Sequence, residues 1–351
     1  MCLKLLVRPA FLIAATAVVL MSPLVAQQAS SPAPAASAPA QARAGYNPPR
    51  TPWGDPDLQG IWPSTEMVNV PLERPEKFGN RLELTDAEFK QLQATVANER
   101  DLALKDFDQN KLADVEALGD FGDATSPPPH WLEKSGTSRQ TSLIVQPANG
   151  RLPKFTPEGE AYQKNVRTTY VQRSSFARPD DLGPYDRCIS RGIVGSMMPV
   201  VYNTGTQILQ APGLVILRHE MIHEARVIPL DGRPALPATM KSYMGSSRGH
   251  FEGNTLVVRT TGVNGKNGLE GNGQILLTSD RAEFVERYTP TGPNTLQYEV
   301  TVTDPATWTA PIKISFPLRR DDDYQLLEYA CHEGNYSIAN TLSGSRAEER
   351  K

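Results

Sequence analysis

The chain has little net charge and few cysteines. It carries 36 Lys and Arg against 39 Asp and Glu, a formal charge of −3, so it has no electrostatic footprint for nucleic acid. It lacks a Gly-rich phosphate loop, a G-x-S-x-G elbow, a C-x-x-C pair and an EF-hand loop, which disfavours nucleotide and flavin binding. No tandem repeat of useful period is present, which argues against propellers and solenoids. Three cysteines are present, and Cys2 falls in the leader, leaving Cys188 and Cys331. An even pair in an exported chain suggests a disulfide, which would stabilise by roughly 4 kcal/mol in the chain-entropy model.

What is plentiful is proline and glycine, 30 and 26 residues, which favours many turns and short strands. Residues 1–26 read as a signal peptide. Lys4 and Arg8 form a basic start, Ala10 to Leu20 is an apolar core too short to span a membrane, and Leu24-Val25-Ala26 is a cleavage site. The expected location is therefore periplasmic or secreted, with no membrane span after cleavage. Residues 27–52 form an Ala/Pro/Ser linker that cannot bury a core. Residues 53–182 read as a helical and extended arm, with Thr85 and Glu88 as a capping box opening a helix to about Lys105. Thr156-Pro157 opens a second helix through about Gln172. Asp114 to Pro129 reads as a long loop.

Residues 183–351 read as an antiparallel β domain with a short C-terminal helix. Arg248–Glu252 and Thr255–Thr261 flank the hairpin turn Gly253-Asn254. Glu283–Thr289 and Thr295–Thr303 make a second hairpin, and Ile312–Leu318 with Gln325–Cys331 a third. Roughly six to nine sequential strands predict a mainly β fold, an antiparallel, calycin-like barrel or else a sandwich. Gly60-Ile61-Trp62 resembles the Gly-x-Trp opening of lipocalin-type barrels.

The stretch with most chemistry is Leu214 to Leu230, which contains His219-Glu220-Met221-Ile222-His223, a literal H-E-x-x-H. On a helix the two histidines would lie about 6 Å apart and could hold zinc, giving a zinc-dependent hydrolase. On a strand they share a face roughly 13 Å apart, too far for one ion. The flanking turns Pro212-Gly213 and Asp231-Gly232 and the β-rich Arg226 to Leu230 favour a strand without metal. That strand would place Leu217, His219, His223 and Ala225 on one face and Arg218, Glu220, Glu224 and Arg226 on the other.

The strings TPWGDPDLQGIW (51–62), PLERP (71–75), LTDAE (84–88), RCISRG (187–192), EMIHEARVIPLDGRP (220–234), GHFEGNTLVV (249–258) and YACHEGNY (329–336) resemble a family of exported bacterial proteins. The resemblance covers nearly everything after the linker. It implies a common fold and export, and it transfers no activity, cofactor or ligand. In the family pattern the longest of these strings begins at the glutamate matching Glu220, and His219 is not part of it, so the H-E-x-x-H string follows from one substitution.

These residues lead us to expect a periplasmic protein that holds a small, largely apolar or aromatic ligand in a β-barrel cavity. His223 would be the acid or base, assisted by Glu220, Glu252 or His332, in a cofactor-independent lyase, isomerase or hydrolase. Tyr202, Asn203, Glu333 and Asn335 are candidate ligand contacts at the barrel mouth, and Arg248 and His250, sharing a face with Glu252, form either a solvated face or a polar ligand-binding cluster inside the cavity. The alternative classes are the zinc hydrolase through His219 and His223 and a non-catalytic envelope protein with a filled interior.

Overall fold

Period-two alternation dominates the second half of the sequence, and in the computed structural model it becomes a set of antiparallel strands. The structure describes residues 46–106, 136–166, 176–271 and 275–350, all within one compact unit, Pro34–Lys351. The signal peptide, most of the linker, the loop 114–129 and the expected continuation of the second helix over 167–172 lie outside the described residues.

In chain order the elements are β1 (Gly60–Ile61), α1 (Asp86–Asp106), β2 (Ile144–Gln146), α2 (Pro157–Lys164), α3 (Gly192–Gly195), β3 (Thr206–Ala211), β4 (Leu214–His219), β5 (Ala225–Pro229), β6 (Ser246–Glu252), β7 (Thr255–Thr261), β8 (Glu283–Gly292), β9 (Thr295–Thr303), β10 (Ile312–Arg319) and α4 (Ser337–Glu348). They form two antiparallel sheets, of order β1-β3-β4-β5 and β2-β10-β9-β8-β7-β6. The fold is mainly β, and its described strands do not close into a barrel. The sandwich is the form the chain takes: one hydrophobic core draws residues from both sheets. The short strands β1 and β2 come from the N-terminal arm, and each ends one sheet.

The larger sheet obeys the alternation read from sequence. Leu296, Tyr298, Val300 and Val302 are buried while Gln297, Glu299 and Thr301 are only half-buried. Register places Tyr288, Tyr298 and Phe316 side by side on β8, β9 and β10. Their ring centroids are 5.2 Å apart in each adjacent pair, tilted or edge-on, the geometry aromatic quadrupoles favour. The β6–β7 turn needs Gly253, whose φ of +60° is strained for a residue with a Cβ. The helix starts also follow the sequence. The Thr85 N–H donates to Glu88 Oε2 at 2.8 Å and the Glu88 N–H to Thr85 Oγ1 at 3.4 Å, a reciprocal cap. Thr156 accepts from the Gly159 N–H at the start of α2.

Two expectations are corrected here. Gln325–Cys331 is not a strand; it runs irregularly past the end of the smaller sheet, held by side chains rather than a ladder. Leu214–Leu230 is not one strand either but two, β4 and β5, joined by a tight 3-10 turn over Met221–His223.

Candidate functional site

That turn decides which residues share a face. Ile222 and His223 have φ of 63° and 45°. The left-handed region is unfavourable for a β-branched residue, and such a position stores about 1–3 kcal/mol of strain. The turn folds the chain back, pairing Leu217 with Arg226 and Arg218 with Ala225. The faces expected from a continuous strand are thereby exchanged. Arg226 joins Leu217 and His219 on the inner face, where all three are buried, whereas Val227 is 55 % exposed and His223 is exposed. The helix that a zinc centre through His219, Glu220 and His223 requires is not formed. His219 instead places Nδ1 3.1 Å from Thr206 Oγ1 inside the protein. Among the described residues no group of three or more His, Cys, Asp or Glu could hold a metal ion.

Glu220, expected to assist catalysis, is a structural anchor. Its buried carboxylate accepts from Asn203 Nδ2 at 3.0 Å, the Tyr324 hydroxyl at 2.6 Å and the Leu327 N–H at 3.0 Å. Asn203 is thus an anchor too. The segment they hold, 324–331, ends at Cys331, which is joined to Cys188 with a Cα–Cα distance of 5.8 Å. The disulfide expected from cysteine counting is present. His223 lies beside the same segment, its Nδ1 3.2 Å from the Tyr329 carbonyl oxygen.

The other candidates do not converge. His332 and Glu333 are exposed, and Asn335 Oδ1 accepts from the Ser337 N–H at the start of α4. Arg248, His250 and Glu252 lie on the outer face of β6, with Phe251 against the core on the other side. Glu252 pairs with Arg287 at 2.9 Å and with His250 at 3.2 Å. Those two partners hold its carboxyl below the usual range. This is a solvated face, far from an acid-base pair aimed at a ligand.

What the fold does bring together at this end of the smaller sheet is a tyrosine trio. The Tyr185 hydroxyl lies 3.0 Å from that of Tyr329 and 3.4 Å from that of Tyr202, and all three side chains are half-buried. Burial and the neighbouring phenols raise the Tyr185 hydroxyl far above its ordinary value, and burial raises that of Tyr329. Both therefore stay protonated as donors. Arg191, fully buried, donates Nε to the Gly271 carbonyl at 2.6 Å. Burial lowers it to about 10, while the phenols and Glu224 act the other way. Glu224 accepts from Ser190 Oγ at 3.1 Å and Ser196 Oγ at 3.4 Å. Burial raises its carboxyl above the usual range against those hydrogen bonds.

No family model, curated protein or solved structure matches this chain. The site therefore has to be read from its own chemistry. Of its members only Tyr202 was singled out from sequence. Arg191, Glu224 and Tyr329 sit in the strings RCISRG, EMIHEARVIPLDGRP and YACHEGNY, where the histidines drew attention instead.

Between the sheets, where a ligand cavity was expected, the space next to this site holds side chains. Arg226 on β5 forks onto Glu286 on β8 at 2.5 and 2.8 Å. The hydroxyls of Tyr288 and Tyr298 donate to the same carboxylate at 2.9 and 3.2 Å. His219 belongs to this interior. Burial, then the charges of Arg226 and Arg191, lower it to about 3, so the ring is neutral.

A pH effect on stability follows. The unfolded His219 takes a proton near 6.5, whereas the folded one resists it down to about 3. Between those values the unfolded state holds more protons, so stability falls as pH falls, by about 1.4 kcal/mol per unit. Glu224, with its raised value, contributes in the opposite direction where it ionises, so the comparison is made against a variant. Urea unfolding of His219→Gln from pH 6.5 to 4 is expected to show a shallower loss of stability than wild type. Equal slopes would refute the buried neutral histidine.

The tail disulfide fits an oxidising compartment, and no described helix is long and apolar enough to cross a membrane.

Proposed function

We propose that this is a periplasmic protein that holds a small, largely apolar or aromatic molecule at the tyrosine end of the smaller sheet and moves a proton on it without a cofactor. The observation that carries this reading is the meeting of three phenol hydroxyls within 3.0–3.4 Å, with the charge of Arg191 acting on all three. Hydroxyl donors backed by a buried cation suit a carbonyl or phenolate oxygen. They would stabilise negative charge developing on that oxygen without reorganising, the largest single source of rate enhancement in many enzymes. Glu224 supplies the second half of an acid-base pair. Its raised carboxyl is closer to the working pH than an ordinary glutamate, as a proton-transfer group requires. His223 passes to a supporting position beside Tyr329. The reaction class this favours is isomerisation or elimination next to a carbonyl.

The reading is tested with 2-naphthol, whose fluorescence separates neutral and ionised forms and whose oxygen imitates the proposed oxyanion. Tyr202→Phe removes one donor and nothing apolar. It is expected to weaken naphthol binding about tenfold, the worth of one hydrogen bond near 1.4 kcal/mol, with an unchanged unfolding midpoint. Exposed His250→Ala should leave binding as it was. If wild type does not bind, or if folded Tyr202→Phe binds as wild type does, the site is not where the ligand sits.

A further inference from the structure

A cleft whose lining includes none of the three tyrosines lies between the extended segment before α1, the chain leading into α2, and the loop after β7. Its volume is about 540 Å³, within the range that takes a small molecule. Apolar side chains, among them Leu72, Leu152, Phe155, Val166 and Leu276, form most of its wall. Phe155 is held in place by Trp308, the rings 4.4 Å apart. Gln163, also on the wall, is already engaged: its amide nitrogen donates to the Leu277 carbonyl at 2.8 Å and its oxygen accepts from the Leu277 N–H at 3.1 Å.

Only two titratable groups line this apolar space among the described residues, Glu73 and Glu270. Glu73 accepts from the Leu152 N–H at 2.8 Å, which fixes its carboxylate at the wall. Glu270 is half-buried and, among the described residues, has neither a hydrogen-bond donor nor a cation as partner. Burial first, and the Glu73 charge second, push its carboxyl above the usual range. A carboxylate so placed is costly to ionise until a cation arrives. An apolar wall with two carboxylates and no resident counter-charge is complementary to a hydrocarbon or aromatic body that ends in an ammonium.

We infer that this cleft binds a small apolar or aromatic primary amine, with the ammonium between Glu270 and Glu73 and the hydrocarbon against Leu72, Leu152 and Phe155. Binding then favours ionised Glu270, so at a pH where the empty cleft holds Glu270 protonated a proton leaves as the amine enters. The inference does not rest on the tyrosine site, and either reading can fail alone.

The test is calorimetric titration of the full chain with 2-phenylethylamine and with its neutral isostere 2-phenylethanol, in two buffers of different ionisation enthalpy. The amine is expected to bind at least about tenfold more tightly than the alcohol, with proton release into the buffer at any pH where the empty cleft holds Glu270 protonated. Glu270→Gln, which keeps shape and removes charge, is expected to bring the amine down to the alcohol's affinity and to abolish the proton release. Tyr202→Phe should leave amine binding unchanged. Equal affinities for amine and alcohol, no binding of either, or amine binding with unchanged affinity in Glu270→Gln would each overturn the inference. The wild-type comparison of amine with alcohol decides the matter even if a variant fails to fold.

Discussion

Reducing the Cys188–Cys331 disulfide is expected to remove about 4–5 kcal/mol of stability. The bond closes a loop with a sequence separation of 143 residues, and the chain-entropy model gives a loop of that size a value at the upper end of the usual range. The loss should not be spread evenly. Segment 324–331 has no strand ladder to hold it, so without the disulfide it relies on Glu220, which receives Tyr324 and Leu327, and on the contact of His223 with the Tyr329 carbonyl. Urea unfolding of oxidised protein, reduced protein and the Cys188→Ser/Cys331→Ser variant should give two lower and nearly equal midpoints for the last two. Limited proteolysis should cut first within 324–336. Since Tyr329 rides on this segment, naphthol binding should weaken at the same time. An unchanged midpoint on reduction would mean that the side-chain anchors alone fix the tail, and the argument from loop entropy would fail.

Much of the fold was legible because its determinants are local. The hairpin β6–β7 follows from alternation on either side of Gly253-Asn254, and β9 from the unbroken apolar series Leu296 to Val302. The caps at Thr85 and Thr156 are local chemistry as well. Closure was not legible, since a meander of strands has the same period whether it closes or splits into two sheets. The shortest strand, β1, carries no pattern of its own and exists through its partner β3.

The site was less legible than the fold. Ile222 gives no sign of a left-handed backbone, yet its turn moves Arg226 inward and His223 outward. Gln325–Cys331 has strand-like composition, and its real partner is the Glu220 carboxylate, 107 residues before the Leu327 N–H that it receives. Tyr202 and Tyr329 lie 17 and 144 positions after Tyr185, and the trio is complete only once the tail that carries Tyr329 is tied down. Histidine is a strong sequence signal because its chemistry is known in advance. Tyrosine and arginine acquire theirs here from burial and from one another.

Arg226 and Glu286 carry the second large expected effect, and it distinguishes two ways in which a buried ion pair can matter. Their side chains are 4 % and 0 % exposed. Glu286 Oε1 accepts from Arg226, Tyr288 and Tyr298, and Oε2 from Arg226. Burial alone would lower the Arg226 guanidinium, and the Glu286 carboxylate reverses this and raises it. Removing one partner therefore strands a charge. Glu286→Ala is expected to lose about 3–5 kcal/mol, because Arg226 and two phenols are left without their acceptor. Replacing both members, Arg226→Met with Glu286→Leu, removes the charges together and should recover most of that loss. Chemical unfolding of the single and double variants measures the coupling directly. A double variant as unstable as Glu286→Ala would show that the phenols, not the stranded guanidinium, set the penalty. The double variant also reaches the candidate site: the Arg226 charge helps to keep His219 neutral and lowers Glu224. Its loss should therefore flatten the His219 contribution to acid sensitivity and raise Glu224 further, so that the interior pair tunes the group proposed to move the proton.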